Sequence, residues 1–183
     1  MWSMDQDEPL KQVAGLLRQR NAIDNEIASI IQRPMTSGHL GEWVASQIFD
    51  IELEVLANEP GFDGKFKSGP LLGQTVNIKW YLKREGLLDT TEAETLDYYL
   101  VLTGPQSAAV SSRSGTRPWR IDAVYLFDAR ELRAEQIARG VKRGTTSSMK
   151  NQQWVDAEIF PTVRNSLFQV TDHQLELLKL FEP

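Results

Sequence analysis

Cysteine is absent, and histidine occurs only twice, at His39 and His173. The first absence excludes disulfides and thiolate-ligated metals, and the second excludes a zinc centre built on several histidines. It is also what a reducing compartment permits. No apolar run approaches the roughly 20 residues that span a bilayer. The opening Met1-Trp2-Ser3-Met4-Asp5 has neither the basic nor the apolar stretch of a secretory leader. These absences set the expectation of a cytoplasmic protein that does not engage membranes.

What remains is ordinary for a folded chain: 183 residues, 41% apolar and 25% charged. That length supports one domain with a real core and is short for two. Net charge is −5 but unevenly spread. Gly104 to Arg120 holds Arg113, Arg117 and Arg120 without an acid, and Ala138 to Trp154 holds Arg139, Lys142, Arg143 and Lys150 without one. Those two segments carry +7, which against a net charge of −5 leaves −12 for the rest. Basic loops on an acidic body can contact phosphates; loop arginines can equally be plain solvated charge.

Periodicity predicts the elements. Asp7-Glu8-Pro9 opens an amphipathic helix reaching about Gln32, with Leu10, Val13, Leu16, Leu17, Ile23, Ile27, Ile30 and Ile31 at helical spacing, and Pro34 forbids its continuation. A second helix runs from Ser37 or Gly38 to about Phe49. Ile51 to Leu56 alternates like a half-buried strand, Gly61-Phe62-Asp63-Gly64 turns, and Thr75 to Leu82 is strand-like. Tyr98 to Thr103 and Ile121 to Phe127 read as central strands, separated by a mobile loop from Gly104 to Pro118. Asp128-Ala129-Arg130-Glu131 caps a helix ending at Gly140, and Gly144 to Ser148 reads as a second mobile loop. Trp154 to Phe160 and Leu167 to Val170 read as late strands, before a short helix opened by Thr171-Asp172-His173-Gln174 and reaching Leu180. The class is α/β or α+β in a single domain covering 1–183: a helical extension over 1–35, a core over 36–127, and helices and strands over 128–183.

Chemistry concentrates between Gly38 and Trp80. Period two places Asn77 and Lys79 on one side of their strand and Val76, Ile78 and Trp80 on the other, so the Asn77–Lys79 side is expected to be open or a cleft. Asp63 followed by a strand lysine suits phosphodiester hydrolysis. A divalent ion held by carboxylates supplies charge and a bound water, and the lysine orients that water and stabilises phosphoryl charge. Asp63 is the candidate principal ligand, although Asp-Gly is also a common turn pair. The Asn77 amide oxygen can coordinate magnesium but brings no charge. Glu42 also reads as an acid near a helix N-terminus, and His39, three residues earlier, as a capping residue or a phosphate contact. Lys83 and Arg84, with Arg113, Arg117, Lys142, Arg143 and Lys150, are candidate nucleic-acid contacts that would position a backbone without reading sequence. Trp43, Trp80, Trp119 and Trp154 adjoin apolar residues and are best explained by packing.

Gly38-His39-Leu40-Gly41-Glu42, Gly61-Phe62-Asp63-Gly64 and Val76-Asn77-Ile78-Lys79-Trp80 together resemble the PD-(D/E)XK nuclease superfamily. The stretch from Leu17 to Gly86 looks like a bacterial domain family within it that has no assigned substrate. The resemblance implies a restriction-endonuclease-like core, a mixed four- to five-stranded sheet flanked by helices, and a bacterial, cytoplasmic setting. It implies Asp63, Lys79 and Glu42 as catalytic residues. Magnesium or manganese would be held by Asp63, Glu42, Asn77 and the Ile78 carbonyl. DNA is the expected partner, and a homodimer is compatible, since many such enzymes pair to cut both strands. Asn77 stands where the family usually has Asp or Glu, which leaves an inactive nucleic-acid-binding or scaffold module as the alternative.

Overall fold

The computed structural model describes residues 8–54, 61–106 and 117–183. Leu56, Arg113 and most of the Gly104–Pro118 segment therefore lie outside the described residues. The chain divides into two compact units, Met1–Leu40 and Gly41–Pro183.

In the first unit, α1 (Glu8–Ile31) forms as its periodicity predicts. It stops where Gln32 turns to a left-handed φ of 54°, just before Pro34. Its apolar residues are largely uncovered, with Leu10 69% and Ile30 66% exposed. Thr36 caps the next helix, α2 (Ser37–Phe49): its hydroxyl accepts the His39 N–H at 3.2 Å and its carbonyl accepts the Leu40 N–H at 2.9 Å.

The second unit is built on a six-stranded mixed sheet. Its strands are β1 (Ile51–Leu53), β2 (Gly64–Phe66), β3 (Thr75–Tyr81), β5 (Tyr98–Thr103), β6 (Ala123–Asp128) and β8 (Glu158–Phe160), side by side in that order. β3 and β5 pair in parallel, and the other neighbours pair antiparallel. Between the parallel strands the chain forms β4 (Leu87–Asp89), which pairs with β7 (Thr146–Ser148) as a separate two-stranded sheet. Three helices complete the unit: α3 (Ala129–Ala138), α4 (Asn151–Ala157) and α5 (Asp172–Lys179).

Register sorts the side chains into two faces. Ile78 pairs with Leu100 and Leu100 with Leu126, so these share one face with Val76, Trp80 and Leu102. The buried part of α2 packs there: a Cβ on Gly41 would come within 2.9 Å of the Trp80 Cβ. The other face carries Asn77, Lys79 and Tyr81 beside Tyr99, Val101 and Thr103, then Phe127, Tyr125 and Ala123. Leu88, Leu96, Leu132 and Trp154 close over that second face in one apolar cluster.

Three expectations are corrected. Gly144 to Ser148 is not a free loop: its Ser/Thr-rich end is β7, held to β4 by backbone pairing and by bonds from Thr90 to the Thr145 carbonyl. Residues 154–157 are helical, with strand geometry only from Glu158. Trp154 and Ala157 are buried three apart, and Gln153 caps Lys150 N–H at 2.8 Å. Leu167 to Val170 forms no strand, and Asn165 instead donates from its buried amide to the Leu126 carbonyl at 2.8 Å.

Candidate active site on the second and third sheet strands

Asp63 sits at the start of β2, between two glycines that close packing requires. Gly61 has φ of 110°, and a Cβ there would lie 2.1 Å from that of Ala93. A Cβ on Gly64 would lie 2.5 Å from the Glu52 carbonyl oxygen. The Asp63 N–H donates to Val76 at 2.8 Å, and its carbonyl accepts from Glu54 at 2.9 Å, so the backbone is fixed to both neighbouring strands. Its carboxylate crosses to β3, where Oδ2 accepts the Ile78 N–H at 2.6 Å. This short charge-assisted bond joins the two sequence words directly. In an extended strand one residue's N–H and C=O point to the same edge, so the Ile78 carbonyl shares the edge that meets Asp63.

On either side of Ile78 stand Asn77 and Lys79. Of the open face or cleft that alternation predicts for the Asn77–Lys79 side, the fully open form is not found: Asn77 is 8% exposed and Lys79 is half-buried. The large residues beside them on β5 and β6 draw cover over the strand. The Asn77 amide nitrogen lies 3.5 Å from the Gly61 carbonyl, at the outer limit of a hydrogen bond, and Oδ1 has no partner among the described residues. A buried acceptor left unmatched is uncommon and costly, and it marks a position where a donor or a cation would be favourable. Two residues beyond Lys79, the Tyr81 hydroxyl donates to Asp89 Oδ2 at 3.0 Å and accepts the Asp89 N–H at 2.9 Å. Burial, reinforced by the Asp89 charge, pushes the Tyr81 phenol well above its ordinary value and keeps it neutral. Sequence reasoning missed Tyr81, although the same period-two count that selects Lys79 also reaches it.

Glu42 is half-buried on α2, the helix packed against the Trp80 face, opposite the one bearing Lys79. The His39 ring accounts for itself locally, with Nδ1 2.9 Å from the Pro34 carbonyl. Among the described residues, no group of three or more His, Asp or Glu is arranged to hold a metal. The candidate oxygens on these two strands are the Asp63 carboxylate, the enclosed Asn77 amide oxygen and the Ile78 carbonyl. That is a minimal fit to magnesium, which keeps several waters and is commonly held by one or two carboxylates plus substrate phosphate.

The basic candidates are only partly available to a nucleic acid. Lys83 pairs with Glu85 at 3.1 Å, and Arg117 lies 4.0 Å from the same carboxylate. Lys150 is held by Glu135. Lys142 is exposed and Arg143 half-buried. Arg84 is largely withdrawn from the surface: it is 9% exposed, with its guanidinium 5.1 Å from the Trp154 ring and 5.6 Å from that of Tyr125. Comparison with protein-family models and with curated proteins found no match to this sequence.

Proposed function

We propose that this protein hydrolyses phosphodiester bonds in nucleic acid, DNA in the first instance, as a magnesium- or manganese-dependent endonuclease. The observation that carries this reading is the Asp63–Ile78 bond, which brings the acid of one motif word onto the strand that bears Asn77 and Lys79. The mixed sheet accords with it, because the acid and the lysine were expected on neighbouring strands. Asp63, the Asn77 amide oxygen and the Ile78 carbonyl would hold the metal; Glu42 stands on the helix over the opposite face and is not assigned to this set. When bound, the ion would supply Lewis acidity and a water of lowered pKa. Lys79 would place its ammonium against that water and the phosphoryl oxygens, where positive charge counts most as negative charge develops. The closely packed glycines around Asp63 would keep the carboxylate in place, so little reorganisation is needed on binding.

Supercoiled DNA incubated with magnesium or manganese should be nicked by the wild type and not by Lys79→Ala or Asp63→Asn. Nicking that survives both substitutions would remove this reading.

A second reading has its own observation. Asn77 is neutral and buried where an acid would bring a second charge, which suits a nuclease-like module that binds nucleic acid without cutting it. Wild type that binds DNA but does not cut it, with cutting gained in Asn77→Asp, would select this alternative.

A further inference from the structure

We propose that the cavity between β6 and α4 binds a phosphate group carried on a small molecule, with Arg84 as its anchoring cation. The cavity encloses about 480 Å³, within the range of small-ligand sites. Arg84, Thr103, Tyr125, Trp154, Glu158 and Arg164 are among its lining residues.

Charge accounting within the cavity singles out Arg84. Asp122 is taken by Arg120, with two contacts at 2.8 and 2.9 Å. Glu158 faces Arg164 at 3.5 Å. No carboxylate among the described residues pairs with Arg84, and its Nε–H has no acceptor. The two aromatic rings beside the guanidinium offset only part of its lost hydration, so a buried cation here favours an anion. Trp154 adds a second unmatched donor: its side chain is 2% exposed and its indole N–H has no acceptor among the described residues. Both of these atoms are closed off, so the part of Arg84 that an oxyanion in the cavity would meet is the fork of the guanidinium that lines it.

Phosphate suits the site better than carboxylate. A guanidinium fork, with Asn151 and Arg164 also lining the cavity, offers more donors than two oxygens absorb. The space beyond one phosphate suits an ester of nucleoside monophosphate size. The inference needs neither Asp63 nor a metal, so it stands or falls separately from the hydrolytic reading.

The test uses the full chain, labelled with ¹⁵N at tryptophan, in EDTA. The Trp154 indole resonance is identified by its loss in Trp154→Phe. Inorganic phosphate and adenosine monophosphate should each shift it saturably, the nucleotide at least as tightly, while adenosine, acetate and chloride should not. Arg84→Gln should weaken both responses by about tenfold or more, the scale of a lost charge-assisted bond. Absence of any shift, an equal shift in Arg84→Gln, or acetate as effective as phosphate would overturn the proposal. Should Arg84→Gln not fold, Arg84→Lys keeps the charge but loses the planar fork. It should bind the nucleotide about tenfold more weakly, and unchanged affinity would overturn the proposal.

Discussion

Asp63 and Arg84 are both charged residues beside β3, and the chain treats them oppositely. The carboxylate is half-exposed and answered by a backbone N–H at 2.6 Å. The guanidinium is buried and answered by two aromatic rings. A buried guanidinium without a counter-ion carries a standing electrostatic cost that an arriving anion relieves. The proposed cation place lies before Ile78 and the proposed anion place beyond Tyr81. Nucleic acid with a bound metal contains both partners, but the two places are separable by chemistry.

The comparison can be broken most severely through the aromatic wall. Trp154→Ala should cost about 4 kcal/mol in chemical unfolding, the scale of large-to-small core changes, and should remove phosphate binding while leaving metal binding at Asp63 intact. A loss of both would show that the two places form one site. Gly61→Ala acts on the other region. With φ of 110° and a Cβ 2.1 Å from that of Ala93, it should cost about 3 kcal/mol and displace Asp63. A thermal midpoint equal to wild type would mean that the turn holds Asp63 less tightly than its packing indicates.

Tyr81→Phe, between the two regions, should cost about 1–2 kcal/mol by taking the hydroxyl from Asp89 Oδ2 and the Asp89 N–H, while Thr146 keeps Oδ1. It should also change the alkaline limb of stability. Burial raises the phenols of Tyr81, Tyr99 and Tyr125 above their ordinary value near 10. Their neutral forms are therefore favoured by folding. This contribution is fully present below pH 10 and is lost as pH rises above it. Urea midpoints taken from pH 9 upward should fall, and fall less steeply in Tyr81→Phe. The smallest effect expected is from Glu85→Gln, which releases Lys83 and Arg117 from their shared partner. DNA affinity at low salt should rise two- to threefold, about the worth of one exposed ion pair, with a steeper salt dependence.

Much of the fold is legible from periodicity: α2, β3, β5 and β6 bury apolar stripes or runs whose spacing is visible in one dimension, and α1 carries such a stripe although it is largely uncovered. β7 escaped because Thr146 to Ser148 is held by cross-strand hydrogen bonds rather than by burial. α4 escaped because about two turns of helix carry only Trp154 and Ala157 as buried markers, and Ile159 and Phe160 follow immediately in strand. At the site, the words around Asp63 and Lys79 were legible, and the bond from Asp63 to Ile78 joins the strands they occupy. The cover over the sheet face that bears Asn77 was not legible, since the cluster closing that face draws on Leu132 and Trp154, far along the chain. Arg84 was legible only as a charge; its aromatic enclosure depends on Tyr125 and Trp154, which no local pattern links to it.

The central claim is that Asp63 and its neighbours on β3 form a divalent-cation site. Its most direct test is manganese titration of the wild type and Asp63→Asn, followed by electron paramagnetic resonance, with circular dichroism confirming that the variant folds. One bound ion per chain in the wild type, weakened at least about tenfold in Asp63→Asn, is expected, since magnesium-type sites rest on one or two carboxylates. No binding in the wild type, or equal binding in the variant, would contradict it.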